Sequence, residues 1–372
     1  MKLTIERAAL FRSLGHVQSI VERRNTIPIL SNVLLEAADG RVGMAATDMD
    51  ITIVESVPAV IETPGATTAP AHTLYDIVRK LPDGAQIQLD SNSGDGQMTL
   101  RAGRSEFTLQ TLPKEDFPQV DGGDLPHCFA LSAGDLRGLI DRTRFAISTE
   151  ETRYYLNGIF MHTTSGGAGD VMRSVATDGH RLARVEMPVP KGATGMPGVI
   201  VPRKTVNELR KLIDEMAIDI DIALSDTSVR FAFDNAVLTS KLIDGTFPEY
   251  ERVIPTGNDK SLNVDCRSFA GAVDRVATIS TEKSRAVKLT AANNNLVLTA
   301  SSPDSGTARE EIEVNYDGPA IEIGFNARYL LDITQQIDGG EAEFMVADAS
   351  SPTIVRDSND DSALYVLMPM RV

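Results

Sequence analysis

The chain has 372 residues, with 52 Asp and Glu against 36 Lys and Arg, a net charge of −16, and 42% hydrophobic residues, enough to bury several cores. No apolar run approaches the roughly 18 residues of a membrane span, and the opening MKLTIERAALF lacks the apolar centre of a signal peptide. Two cysteines, Cys128 and Cys266, are too few for a disulfide framework and wrongly spaced for zinc, and the absence of Trp disfavours an aromatic stacking platform, so a reduced cytoplasmic setting without a membrane is expected.

The predicted elements repeat along the chain. An amphipathic helical stretch starts at Thr4 (TIERAALFRSLGHVQSIVE), then a pair of strands runs through ILSNVLLEAADGRVGMAATDMDI. A short strand and a second helix follow in APAHTLYDIVRKLPDGAQIQLD, and a strand closes the copy in FTLQTLPKEDFPQV. The same order recurs from Ala130 (ALSAGDLRGLIDRTRFAIS), through YLNGIFMHTTSGGAGDVMRSVATDGHRL and VPRKTVNELRKLIDEMAIDIDIALSD, to LTSKLIDGTFPEYERVIP. It recurs again from Asn263 (NVDCRSFAGAVDRVATIS), through AVKLTAANNNLVLTASSPDSG and IGFNARYLLDITQQIDGGEAEFMVAD, to ALYVLMPMRV. The match is positional: Asp48 and Asp178 are 130 apart (178 − 48), as are Pro118 and Pro248 (248 − 118). The reading is α+β, with three tandem copies of a two-helix, multi-strand domain at 1–125, 126–252 and 253–372. They are joined by the Gly/Pro/Asp-rich linkers VDGGDLPH and VIPTGNDK. AADG and AANNN read as hairpin turns.

Where the second copy has ATDGHRL, the first has ATDMDI and the third SSPDSG. The shared Thr and Asp are expected to cap a strand end, the Asp side chain accepting from local backbone N–H groups. His180, Arg181 and Leu182 belong to the second copy alone and mark a candidate site. Asp178 and His180, two apart on an expected strand, share a face and suit a hydrogen bond. A hydrolase built on them lacks a nucleophile: the five histidines show no metal spacing, and no nucleophile elbow or P-loop occurs. GGAG at Gly166–Gly169 reads as a hairpin loop, and DSNDDS at Asp357–Ser362 lacks the Gly and closing Glu of a calcium loop. No metal and no cofactor are expected.

The charge excess is acidic, yet the helical stretches carry many basic residues, among them Arg7, Arg12, Arg23, Arg24, Arg203, Lys204, Lys283 and Arg328. If the helices share one surface, that surface is basic. Helices packed about 8–10 Å apart leave no useful hole in a ring of six, whereas a ring of twelve, from two chains, leaves roughly 21–28 Å. B-DNA is about 20 Å across. A head-to-tail dimer therefore has room for a duplex, and so has a trimer.

TRYYLNG at Thr152, VATDGHRL at Val175, IDGTFPEYERVIP at Ile243 and the terminal YVLMPMRV at Tyr365 carry a full-length likeness. The chain resembles the bacterial β sliding clamps, the processivity factors of the replicative DNA polymerase. The resemblance implies a head-to-tail dimeric ring with helices inside and sheets outside, without enzymatic activity. It implies double-stranded DNA, the replicative polymerase, a clamp loader, and other polymerases and repair proteins that dock through short linear motifs in a cleft between the second and third domains. Carried over to this sequence, the cleft is Leu156, Thr177, Gly179, His180, Arg181, Leu182, Pro248, Arg252, Val253, Val366, Met368, Pro369 and Met370. Met368 and Met370 are expected to point one way along a strand and offer adaptable thioethers, with Arg181 and Arg252 as polar anchors. For DNA the resemblance points to Arg24, Arg153, Tyr154 and Tyr155, to which their helix position adds Arg203 and Lys204. His72, Thr149 and Glu150 depart from the family's basic or amide residues, and Glu150 repels phosphate. The dimer contacts expected are Phe107 and Leu109 on a first-copy strand and Ile279 in the third copy. Thr278 replaces a larger apolar residue and weakens that interface. Two other readings stay open on the residues alone: a cytoplasmic hydrolase using Asp178 and His180, and a peptide-binding scaffold without DNA.

Overall fold

Alternating apolar residues at the very start of the chain set the first element, and it is a strand. A computed structural model describes residues 1–91, 96–118, 123–166, 169–213, 219–233, 235–280 and 285–371. Lys283, part of GGAG and part of the first linker lie outside the described residues. Leu3 and Ile5 are buried and alternate with polar neighbours in the strand Lys2–Glu6, so the first helix begins at Arg7 rather than Thr4. The same correction holds in the other copies, where strands His127–Ser132 and Lys260–Asp265 precede their helices.

Six α-helices occur among the described residues: α1 Arg7–Gln18, α2 Ala71–Lys80, α3 Ala133–Arg144, α4 Arg203–Ile213, α5 Cys266–Ala277 and α6 Ala327–Thr334. Leu10, Leu14 and Val17 make the buried stripe of α1 at helical spacing. Because α1 ends at Gln18, Arg23 and Arg24 lie beyond it and not on a helix. The Asp265 side chain accepts from the Ser268 N–H at 2.8 Å and caps α5.

The chain forms two compact units. One comprises Met1–Arg137, Pro190–Pro197 and Lys204–Leu242; the other comprises Gly138–Val189, Gly198–Arg203 and Ile243–Val372. The first unit holds a five-stranded sheet and an eight-stranded antiparallel sheet. In the larger sheet the strand Ala236–Lys241 pairs with Ile51–Pro58. The second unit holds a four-stranded sheet and another eight-stranded one, in which Arg181–Pro188 pairs with Asp360–Leu367. Each eight-stranded sheet therefore takes strands from two successive sequence repeats.

The repeat is visible element by element. Hairpins Asn32–Ala38/Arg41–Thr47, Gly158–Gly166/Gly169–Thr177 and Ala286–Ala292/Asn295–Ser302 hold the same place in each copy. Asp39 and Gly40 (φ 50° and 73°) and Asn293 and Asn294 (φ 50° and 59°) form the two-residue left-handed turns that AADG and AANNN predict. Each copy ends in a three-strand meander, not the single closing strand of the sequence reading. The segment 178–180 is a turn outside the strands. The last strand ends at Leu367, so Met368 and Met370 lie past it and are not strand neighbours.

Candidate functional site

The turn after Thr177 is fixed by its own side chains. Asp178 Oδ1 accepts from the N–H groups of His180 (2.9 Å) and Arg181 (3.0 Å), and Thr177 Oγ donates to the Arg181 carbonyl at 2.7 Å. In the first copy Asp48 Oδ1 accepts from Asp50 and Ile51 at 2.9 and 2.8 Å, and Thr47 Oγ donates to Ile51 O at 2.9 Å. Residue 179 must take φ +87°, where glycine costs least, and a Cβ there would lie 2.5 Å from the Arg153 guanidinium. The first copy holds Met49 at φ 80° in the same place.

Arg181 follows the turn and points inward. Its Nε donates to Asp178 Oδ2 (3.1 Å), Nη1 to Asp332 Oδ2 (2.6 Å) and Nη2 to the Phe145 carbonyl (2.5 Å). Its guanidinium carbon lies 4.3 Å from the Tyr329 ring centre. With the side chain only 7% exposed, these donors are committed inside the unit. The expected polar anchor is thus a structural tie. The N–H of Met368 donates to the His180 carbonyl at 2.9 Å, bringing the chain end against the turn.

These elements enclose one cavity of ≈330 Å³ in the second unit. Its lining includes Leu156, Thr177, Gly179, Arg181, Leu182, Pro248, Val253, Val366 and Met368 from the expected cleft. Arg153, Tyr155, Glu249 and Tyr250 also line it. His180, Arg252, Pro369 and Met370 do not. His180 is exposed at the turn, Arg252 is exposed and paired with Glu249, and the Met370 N–H is spent on the Gly324 carbonyl at 2.8 Å. Below the cavity Leu156, Val175, Leu182, Ile200, Phe247, Tyr250 and Val366 form a buried apolar cluster. Met368 at 42% and Val253 at 51% exposure leave apolar surface at the mouth.

The wall carrying Tyr250 is held from behind. Arg173, 10% exposed, donates to Glu186 (2.9 Å), to the Tyr250 hydroxyl (3.2 Å) and to Glu251 (2.5 Å). His162 Nε2 lies 3.0 Å from the same hydroxyl. Burial pushes the Tyr250 phenol up and the His162 imidazole down from their ordinary values. The sequence reading missed Tyr250; its signal is its place as the middle member of the apolar spacing Phe247, Tyr250 and Val253, on the 3₁₀ turn Tyr250–Val253 and its lead-in.

The candidate DNA residues divide by exposure. Arg24, Arg203 and Tyr154 are exposed, and Tyr154 packs edge-on against Tyr155 at 5.7 Å. Arg153 grips Glu150 through two bonds of 2.8 and 2.6 Å, and that hydrogen bonding lowers the Glu150 pKa. Glu150 therefore offsets Arg153 locally. Lys204 bonds Asp48, the Ile20 carbonyl (3.3 Å) and, at 3.5 Å, Glu22. Burial opposes its charge, but the hydrogen bond to Asp48 and the neighbouring carboxylates prevail and raise its pKa. Among the interface candidates Leu109 is buried, Phe107 is 36% exposed and Ile279 is half-buried. Among the described residues no group of three or more His, Cys, Asp or Glu is placed to hold a metal, and no helix is long and apolar enough to cross a membrane.

Known proteins share this arrangement over the whole chain. Models of the DNA polymerase III beta subunit match in order: the N-terminal domain at residues 1–121, the central domain at 130–249 and the C-terminal domain at 251–371. The chain belongs to the beta sliding clamp family. The beta sliding clamp of Caulobacter vibrioides is 57% identical over 372 residues, all of both chains, and that of Escherichia coli K12 is 39% identical over 373, again all of both. The sliding clamp of Bartonella birtlesii, solved bound to griselimycin, superposes with a TM-score of 0.97 at 52% identity, with complete coverage of both chains. The C. crescentus clamp, solved with PEG bound to a putative beta-motif tethering region, gives 0.97 at 57%, covering all of this chain and 99% of that one. As a clamp-family member the protein is not an enzyme, and the hydrolase reading falls. Asp178 itself accepts from the His180 and Arg181 backbone N–H groups and from Arg181 Nε.

Proposed function

We propose that two copies of this chain close head to tail into a ring around double-stranded DNA and tether the replicative polymerase to it. The clamp loader and other polymerases and repair proteins dock on the same ring, each through a short linear segment in the cavity of the second unit. The observation that carries this is the full-length relationship to beta sliding clamps at 57% identity. The domains are 1–125, 126–252 and 253–372, with helices toward the DNA and the protein in the cytoplasm.

The cavity suits such a segment. Its floor is apolar, and Met368 at its mouth is a soft, adaptable side chain. A peptide burying two side chains removes roughly 600 Å² of apolar surface, about 15 kcal/mol gross. Association costs of about 4–15 kcal/mol leave a weak, exchangeable complex. His180, Arg252, Pro369 and Met370 serve as the outer rim of this site. Arg24, Arg153, Tyr154, Tyr155, Arg203 and Lys204 face the duplex, Lys204 and Arg153 with their charge partly offset. For the dimer, Ser105–Gln110 ends the five-stranded sheet and Gly306–Glu313 ends the four-stranded one. Unpaired strand edges seek partners. Joining these two edges between chains brings Phe107 and Leu109 toward Ile279.

The test is retention. Loaded on nicked circular DNA by its loader, the protein stays through gel filtration at salt that abolishes simple phosphate contacts, and it is lost when the circle is cut. Equal loss from both topologies leaves only a peptide-binding scaffold.

A further inference from the structure

The threefold repeat exposes a difference between the first and second copies. Strand pairing fixes the correspondence without ambiguity. Leu34 pairs with Ala45 and Glu36 with Gly43, while Phe160 pairs with Val175 and His162 with Arg173. Ala45 pairs with Val54, and Val175 with Arg184. With an offset of 126 residues in the first hairpin strand and 130 in the next two strands, Leu34, Glu36, Gly43 and Val54 therefore stand where the second copy has Phe160, His162, Arg173 and Arg184.

In the second copy this outer sheet face is filled. Phe160 stacks between Phe247 (4.8 Å) and His162 (4.7 Å), and the two guanidiniums lie beside them within the polar network around Tyr250. In the first copy Phe117, the counterpart of Phe247, packs on Leu34 and Ala45, but the second ring and both cations are missing. What remains is a cavity of ≈690 Å³ lined by Leu34, Glu36, Val54, Phe117 and the turn Lys114–Asp116. Val54 is 43% exposed. The carboxylates of Glu36, Glu115 and Asp116 face a single ammonium, that of Lys114, so the lining is net acidic.

We propose that this first-copy cavity is a second docking site, and that it takes a partner's chain segment presenting an aromatic side chain flanked by Arg or Lys. The chemistry follows from what the second copy supplies in the same place: one ring stacked on Phe247, the counterpart of Phe117, and guanidiniums at its side. The acidic lining attracts the cations, Gly43 leaves room where Arg173 stands, and the sheet face offers Leu34 and Val54 to the ring. This site is separate from the cavity at Met368 and does not depend on that reading.

The probe is a fluorescein-labelled pentapeptide, Gly-Arg-Phe-Arg-Gly, titrated against the full chain by anisotropy. Expected is saturable, salt-sensitive binding, with the Phe-to-Ala and Arg-to-Glu versions of the peptide each weaker by at least about tenfold. Leu34→Phe, which fills the cavity as the second copy does, and Glu36→Lys, an exposed charge reversal, each weaken binding by at least about tenfold, with thermal midpoints unchanged. Met368→Ala leaves it unchanged. Absence of saturable binding to the native chain, equal binding of the control peptides, or indifference to Glu36→Lys overturns the proposal. So does loss in Met368→Ala, which would put the peptide in the other cavity.

Discussion

Arg181→Met is the sharpest test of the site's physical account. The native side chain is 7% exposed and meets two carboxylates, one carbonyl and two aromatic rings, those of Phe145 and Tyr329. Methionine keeps much of the volume but strands the buried oxygens. Removing one partner of a buried ion pair costs about 3–5 kcal/mol. The lower end applies here, because Asp178 keeps two backbone N–H donors and Asp332 keeps Arg328 at 3.8 Å. About 3 kcal/mol is roughly a hundredfold in an opening equilibrium. Arg181 pairs with Leu367 across the sheet, and Met368 hangs from His180. Amide exchange read by mass spectrometry in peptides covering 175–187 and 360–371 should therefore quicken about a hundredfold, while peptides of the four-stranded sheet keep their protection. Protection in both segments within about threefold of the native chain would falsify the tie assigned to Arg181.

Met368→Ala should weaken a bound partner peptide by about five- to thirtyfold, a loss of about 1–2 kcal/mol of apolar contact, without changing stability; surface plasmon resonance with an immobilised polymerase peptide checks both claims against a melt. Cys266 is buried and its thiol pushed up to about 11, chiefly by burial, whereas Cys128 is exposed. At pH 8 only about one Cys266 in a thousand is thiolate, so brief iodoacetamide treatment should alkylate Cys128 alone, and equal labelling by peptide mapping contradicts the placement. Asp48 is held below its ordinary pKa: burial opposes this, but the hydrogen bond from Lys204 and the local N–H groups outweigh it. A depressed carboxyl adds stability at neutral pH and loses it as pH falls below about 4. Asp48→Asn should cost about 1–2 kcal/mol at pH 7 and flatten the acid limb of a urea-midpoint profile between about pH 4 and 2; an unchanged profile refutes the linkage.

The repeat and its hairpins were legible because strand pairing and turn chemistry are local: Asp39-Gly40 and Asn293-Asn294 specify left-handed turns whatever surrounds them. Helix starts were misplaced by a few residues, since Leu3 and Ile5 fit a strand of period 2 as well as the approach to an amphipathic helix. The sequence placed Arg181 among the cleft residues but not its commitment. Asp332, its main partner, is 151 residues away, and no local pattern announces a contact of that range. The same holds for Arg173, whose grip on Tyr250 and Glu251 spans 77 and 78 residues. Met368 and Met370 looked alike as neighbours of Pro369. Their backbone partners separate them: the Met368 N–H bonds the His180 carbonyl beside the turn and the Met370 N–H bonds that of Gly324, and of the two only Met368 lines the cavity.

The ladder between Ala236–Lys241 and Ile51–Pro58 bears on how this polypeptide tolerates being divided. Cutting at a repeat boundary leaves the sequence motif whole yet strips Ile51–Pro58 of its neighbour along the register from Ala236↔Glu55 to Ser240↔Ile51. The bared edge carries Ile51, Ile53 and Val57, all apolar and β-prone. A single repeat released by proteolysis is thus a sticky fragment and not a miniature of the parent, and the tandem arrangement guards solubility as well as carrying out its task.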